Sequence, residues 1–468
     1  MLARSARLRR SISSPSVASR PVPNGRSAME ERRCKRSSEP GAGGALAETT
    51  GRRQQDLTAW PGEGRAVVIA EYYPNLRHMA GIVAIADTGS MSEAAVRLNL
   101  SQPALAQGLA KVERQMKGAL FRRDARGMRL SEAGEIFVAR LRRGFDILRQ
   151  ASPVTKRSNL HQLVTMNQML SLIAAVDHGG FRPAAARMGR APSSLSRACR
   201  DLADQAGTPL FEVGPIGFRP TPQAEELARV FRLTLNEIHQ AAADVRGLQG
   251  DYAGRLAVGC LPLAQAVILP ETLNRFAPEF PGITPQVVGG RYADLVQGLL
   301  NGDLDVLIGA LRHEAMPGAL NCGLAHVPLF SDRLVVAARM GHPLAGKTAV
   351  TLENLKEFPW VVPGSGAPAR GCYDQLFQSG AAAPRGVPRP IETEVQGVVG
   401  GLLRSSDRLA ILARSQFPRD GSLQPISFDL PDSQREIGLT YIEGWLPSVP
   451  QARFLSLLGD VVADTAVV

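Results

Sequence analysis

The sequence predicts a multi-domain fold in which two all-α winged helix-turn-helix modules precede a two-lobed α/β domain. Three observations carry this. A segment recurs at an offset of 90 positions, with SQPALAQGLAKVERQMKGALF from Ser101 answered by APSSLSRACRDLADQAGTPLF from Ala191. From Arg255 onward, short apolar runs such as LAVGC and VLIGAL alternate with helical patterns, the order expected of a mostly parallel sheet covered by helices. A length of 468 residues exceeds what one hydrophobic core organises.

Composition shifts set the boundaries. An N-terminal extension occupies 1–72, the first module 73–131 and a linker helix 132–158. The second, degenerate module occupies 159–221, a second linker helix 222–250, and the α/β domain 251–468. Charge follows the same division: 1–75 carry 13 basic and 7 acidic side chains, 76–150 carry 13 and 7, 151–246 carry 11 and 8, and 247–468 carry 17 and 21. The whole positive excess lies in the first half, which suits a polyanion such as nucleic acid, with a membrane surface as the competing partner.

Residues 1–75 are rich in Arg, Ser, Gly and Pro and too poor in apolar surface to fold alone, so they read as disordered. Their start loosely resembles an organelle transit peptide but lacks the apolar core of a secretory signal. An alternative is that translation begins at Met79 or slightly upstream. Five scattered cysteines (Cys34, Cys199, Cys260, Cys322, Cys372) form no Cys-x-x-Cys pair, a pattern of reduced thiols in cytoplasm. No apolar run of about 18 residues is present, which argues against a transmembrane helix.

In the first module, Ile82, Val83, Ile85 and Ala86 recur at helical spacing before the Thr88-Gly89 break. Ser92 is positioned to cap a second helix whose paired alanines, Ala94 and Ala95, allow another helix to cross closely. A third helix opens at Ser101, with Pro103 in its first turn and Leu105, Leu109, Val112 and Met116 along one face. The short break between these helices marks a helix-turn-helix. Its N-terminal residues Gln102, Ala104, Ala106 and Gln107 stand where base edges are read. RRDARGMRL then has a hairpin or wing pattern whose Arg122, Arg123, Arg126 and Arg129 lie near phosphates. From Ser131 an amphipathic helix carries Ile136, Phe137, Leu141, Phe145 and Leu148 on one side. That stripe needs a partner helix, from a second chain or from its own domain.

The stretch GSMSEAAVRLNLSQPALAQGLAKVERQMKGALFRRDARGMRLSEAGE resembles the winged helix-turn-helix of LysR-type transcriptional regulators. The shared features are the Gly-Ser, the paired Ala, Ser-Gln-Pro-Ala, Leu-Phe-x-Arg and the final Gly. It departs at Met91, where the family has an aromatic, at Ala106-Gln107, where Ser-Arg is frequent, and at Val112, where Leu is frequent. The resemblance implies DNA contact through Ser92, Ser101, Gln102, Pro103, Ala104, Gln107, Arg122, Arg123 and Arg129.

The repeat aligns Met79 with Met169, Gly89 with Gly179, Leu105 with Leu195 and Leu120-Phe121 with Leu210-Phe211. Ala191 and Pro192 replace Ser101 and Gln102, and Val213 replaces the wing Arg123. Ser196-Arg197 restores the Ser-Arg that the first copy lacks. Two readings follow: both modules touch DNA, the second through Ser193, Ser194, Ser196 and Arg197, or the second serves mainly dimerisation and spacing. Its lower charge and missing wing arginine favour the latter.

The second half resembles the effector-binding half of the same family, through GRLAVG, ILPETLNRFAPEFPGI, LLNGDLDVLIG and GHPLAG. Within the family, the branch that includes the galactose-binding-protein regulator is nearest. The resemblance implies a periplasmic-binding-protein-like pair of lobes, the second inserted into the first. A crevice at strand C-termini, lined by Leu261, Pro262, Gln265, Gly364, Ser365, Gly366, Glu394, Gln396 and Gly397, would take a small-molecule effector, a sugar or an organic acid.

Seven histidines at no metal spacing, no nucleophile motif and no phosphate loop argue against an enzyme, a metal site or a cofactor. Gly364–Gly371 is glycine-rich but lacks a Lys-Ser/Thr ending. A solute-binding protein would need an export signal and no DNA-binding head, and a membrane-surface protein would leave the helix-turn-helix unexplained. The expectation is a cytoplasmic, ligand-responsive transcriptional regulator, a homodimer or homotetramer joined by helices 131–150 and 221–246. Its partners are double-stranded DNA and a small effector.

Overall fold

The computed structural model describes residues 76–466 apart from 126, 152–153, 156–159, 215–216, 266, 313–322, 378–388, 419 and 432. The expectations placed on 1–72, Arg126, Cys34 and Cys322 lie outside the described residues.

The first module comprises α1 (Leu76–Thr88), α2 (Met91–Arg97), α3 (Gln102–Met116) and an antiparallel hairpin, β1 (Phe121–Asp124) with β2 (Gly127–Leu130), followed by α4 (Glu132–Arg149). After a single turn at Leu160–Leu163, the second runs through α5 (Met166–Asp177), α6 (Phe181–Met188), α7 (Pro192–Ala206), the hairpin β3 (Phe211–Gly214) with β4 (Gly217–Pro220), and α8 (Pro222–Gly247). The modules are therefore not all-α, because each wing is a two-stranded ribbon.

The 90-residue offset persists into individual bonds. Ser131 Oγ donates to the Ala119 carbonyl and accepts from Gly134 N, while Thr221 Oγ1 donates to the Pro209 carbonyl and accepts from Ala224 N. Arg142 pairs with Asp87 at 2.7 Å, and its equivalent Arg232 pairs with Asp177, the equivalent of Asp87. Gly89 and Gly179 share φ near +67° and +68°, a left-handed turn that favours glycine and ends the first helix of each copy.

Ser92 does not cap α2. The cap is Ser90, whose Oγ accepts from Glu93 N, because the Gly89 turn starts the helix at Met91 and places Ser92 inside it. On α4 the apolar stripe is rotated from the expected one. Phe137, Leu141 and Leu148 are buried, joined by Val138, Gly144 and Ile147, while Ile136 and Phe145 are half-buried.

The reason is the partner. α4 packs against α8 of the same chain, and both modules share one continuous core that includes Met79, Phe137, Met169 and Phe231. The stripes expected to join two chains are thus largely consumed within one.

The α/β half begins with β5 (Gly254–Cys260), α9 (Ile268–Glu279), β6 (Ile283–Gly289), α10 (Tyr292–Leu300) and β7 (Val306–Ala310). The long β8 (Leu324–Arg339) leads into β9 (Trp360–Val362), α11 (Pro368–Phe377), β10 (Ile391–Glu392), α12 (Gln396–Ser405), β11 (Leu409–Ala413) and β12 (Leu423–Pro425). The chain returns through β13 (Gln434–Ile442) and α13 (Val449–Ala466).

Strand order is β10-β9-β11-β8-β13-β7-β5-β6, with β5 parallel to β6 and β7, and β9 parallel to β10 and β11. β8 pairs antiparallel with β13 along its first two-thirds and with β11 along its last third, so it crosses from one lobe to the other. α13 closes the first lobe, with Phe454 edge-on to Phe276 at 5.7 Å and Arg453 donating twice to Glu279 at 2.7 Å. An edge-on aromatic pair and a forked arginine both fix geometry as well as adding energy.

Candidate nucleic-acid interface and effector cleft

α3 owes its start to Ser101, whose Oγ accepts from Ala104 N, with Pro103 in the first turn, where its missing N–H costs nothing. Leu105, Leu109, Val112 and Met116 are buried as expected, which turns Gln102, Pro103, Ala106 and Gln107 outward and leaves Ala104 half-buried. Ser92 Oγ lies 3.4 Å from Gln102 Oε1, so these two meet on the exposed surface of the motif. Gly108 is required at the crossing with α1, since a Cβ there would stand 2.8 Å from the His78 ring. His78 is held below its usual pKa by burial first, then by Lys111 and Arg77.

The wing adds charge. Arg122 and Arg129 are directly opposite in the hairpin register, and Arg122, Arg123 and Arg129 are exposed. Asp124 takes Arg129 at 3.1 Å. Like charges set opposite each other in a ribbon cost stability, which Asp124 offsets on the Arg129 side.

The second module differs at these points. α7 starts at Ala191 with no side-chain cap, and Ser193, Ser194 and Arg197 are exposed while Ser196 is half-buried. Glu212 replaces Arg122 and stands opposite Arg219, converting a like-charge pair into an opposite-charge one. Val213, opposite Phe218, is 82% exposed and Phe218 51% exposed. Glu212 was visible in the repeat alignment, yet its meaning depends on the hairpin register.

In the α/β half, a cleft of about 830 Å³ is lined by Leu311 and Arg312 after β7, by Ser365 to Pro368, and by Arg370, Gly371 and Asp374 of α11. Of the predicted residues, Ser365 and Gly366 line it. Gly364 sits beside it, where a Cβ would meet Glu394 Oε1 at 3.1 Å, so these two are brought together. Gln396 and Gly397 open α12 and are absent from the lining.

Leu261, Pro262 and Gln265 do not line this cleft. Leu261 packs onto Gly309, where a Cβ would come within 2.4 Å, and Gln265 Nε2 donates to the Cys260 carbonyl at 3.3 Å. Leu261 and Gln265 thus brace strand ends.

The sequence reading missed Arg312, Arg370 and Asp374. Arg312 donates to the Gly366 carbonyl at 3.1 Å and lies 4.3 Å over the Tyr292 ring, both neutral partners. Arg370 is matched by Asp374 and Glu392, each at 2.9 Å. Arg312 and the N-terminus of α11 thus give one cleft wall a positive character.

Cys199, Cys260 and Cys372 are buried, and burial pushes Cys199 and Cys260 up to about 12. Among the described residues no cluster of His, Cys, Asp and Glu could hold a metal, and no helix is long and apolar enough to cross a membrane.

Residues 76–135 and again 166–225 match the family model described as bacterial regulatory helix-turn-helix protein, lysR family, and 249–463 match the LysR substrate binding domain. The chain is 30% identical over 402 residues to the HTH-type transcriptional regulator GalR of Pseudomonas putida, an alignment covering 84% of this chain and 98% of that protein. Among solved structures it is similar to full-length LysG of Corynebacterium glutamicum with bound effector Arg, at 18% identity and a TM-score of 0.44, covering 64% of this chain and 97% of that one. It is also similar to full-length CbnR complexed with its target DNA, at 18% identity and a TM-score of 0.42, covering 63% and 98%.

Proposed function

The chain belongs to the LysR family of helix-turn-helix transcriptional regulators, and from that premise we propose that only its first module reads DNA, the second serving to pair with and space the first. Ser101, Gln102, Pro103, Ala104 and Gln107 approach base edges in the major groove, flanked by Ser92, while Arg122, Arg123 and Arg129 hold phosphates. The observation that carries this is the wing register: Arg122 opposite Arg129 presents two exposed arginines, whereas exposed Glu212 opposite Arg219 sets a carboxylate where a phosphate would approach. Alanine at Ser193, Ser194 and Arg197 together should leave affinity and footprint on DNA unchanged. A weakened or shortened footprint would give the second module a DNA contact and overturn the assignment.

The cleft takes a small effector, a sugar or an organic acid. The positive wall made by Arg312 and the α11 N-terminus favours one bearing a carboxylate. Effector closure of the lobes biases the positions of the heads. Equal effector affinity with and without bound DNA would disprove that coupling. The regulator acts in the cytoplasm as a homodimer or homotetramer, without catalysis, and its chains meet through surfaces other than the α4–α8 seam.

A further inference from the structure

We infer that the seam between α4 and α8 is built to close within one chain, so that a single polypeptide is a linked pseudo-dimer whose linker helices are unfit to pair with another copy's. The helices run antiparallel, since Arg140 in the middle of α4 meets Glu237 and Asp244 late in α8, while Gly144, one turn further along α4, meets the earlier Thr234. Gly144 and Thr234 are equivalent positions of the repeat, so a pseudo-two-fold axis passes where they touch. A Cβ on Gly144 would lie 3.5 Å from the Thr234 carbonyl oxygen and 3.4 Å from Glu237 Cβ.

About that axis the two helices are not interchangeable. Arg140 is 4% exposed and Glu237 6%, and they bond at 3.1 Å. Asp244 takes Arg140 at 2.9 Å, and Arg143 takes Glu237 at 2.8 Å. The repeat equivalent of Glu237 is Ile147, that of Arg140 is Val230 and that of Arg143 is Leu233.

An α4–α4 pair between two chains would therefore bury Arg140 and Arg143 against Ile147. An α8–α8 pair would bury Glu237 against Val230 and Leu233. Either leaves uncompensated charge in an apolar seam, which is strongly unfavourable, whereas the α4–α8 pair is matched charge for charge. Linkage through the second module then places the correct partner at high local concentration. The inference does not depend on which module contacts DNA.

Two measurements on full-length protein test it, both in a Cys34→Ser, Cys322→Ser background. Oxidation of Gly144→Cys with Thr234→Cys should give a cross-linked monomer on non-reducing gels, and Gly144→Cys alone no covalent dimer. A covalent dimer from either overturns the inference. Because these substitutions sit in the seam, a second pair uses the exposed residues Glu135, near the start of α4, and Gln249, just past α8. With spin labels at Glu135→Cys and Gln249→Cys, the short interlabel distance should survive co-refolding with excess unlabelled chain. Its loss, as exchange between chains would cause, also overturns the inference.

Discussion

Arg122 and Arg129 stand opposite each other across the first wing, while the equivalent pair in the second wing is Glu212 opposite Arg219. The first ribbon thus presents two exposed arginines to an approaching phosphate, where the second presents a carboxylate beside its arginine. Arg122→Ala should weaken DNA binding across sequences and lower the slope of log affinity against log salt by about 1. Arg219→Ala should leave that slope unchanged, as salt titrations by fluorescence anisotropy would record.

The caps make a paired prediction. Ser101→Ala removes the acceptor for Ala104 N and should cost about 1 kcal/mol in chemical denaturation. Ala191→Ser supplies the missing acceptor at the equivalent place and should stabilise by a similar amount. Equal effects of the same sign would mean that the two helix starts do not share a geometry.

The buried charges of the helix seam make a larger one. Arg140→Ala strips a nearly inaccessible guanidinium from Glu237 and Asp244 and should destabilise the helical half by about 3–5 kcal/mol. Arg149→Ala, on the exposed side of α4, should change stability by less than about 0.5 kcal/mol.

The helical half should also weaken in mild acid. Burial holds the folded-state pKa of His78 below 6.5, so the native state favours the neutral ring. Its contribution is fully present above about pH 6.5 and is lost as pH falls through the lowered value. His78→Gln should reduce the drop in melting temperature between neutral and mildly acidic buffer. His342, shifted in the same direction by burial, remains as background in both proteins.

Much of this was legible in the sequence because helices announce their own ends. Ser101 with Pro103, Thr221 with Pro222 and the buried stripe of α3 all follow from local chemistry. Ser90 and Ser92 are both cap-competent residues two positions apart, and only the left-handed Gly89 turn decides between them. An amphipathic stripe shows that α4 has a partner without saying which, so the pairing with α8 could not be read. The effector cleft was least legible. Arg312 follows β7, while the groups it touches come from Tyr292 and Gly366, far apart in the chain.

If the first module alone reads sequence, base-specific binding depends on the N-terminal end of α3 and not on that of α7. On a site selected from random DNA by the wild-type protein, Gln102→Ala should lose discrimination between the preferred base and its competitors by about 1–3 kcal/mol. Arg197→Ala, exposed at the corresponding end of α7, should bind with unaltered affinity and preference. Retained discrimination in the Gln102 variant, with loss in the Arg197 variant, would place base reading in the second module instead.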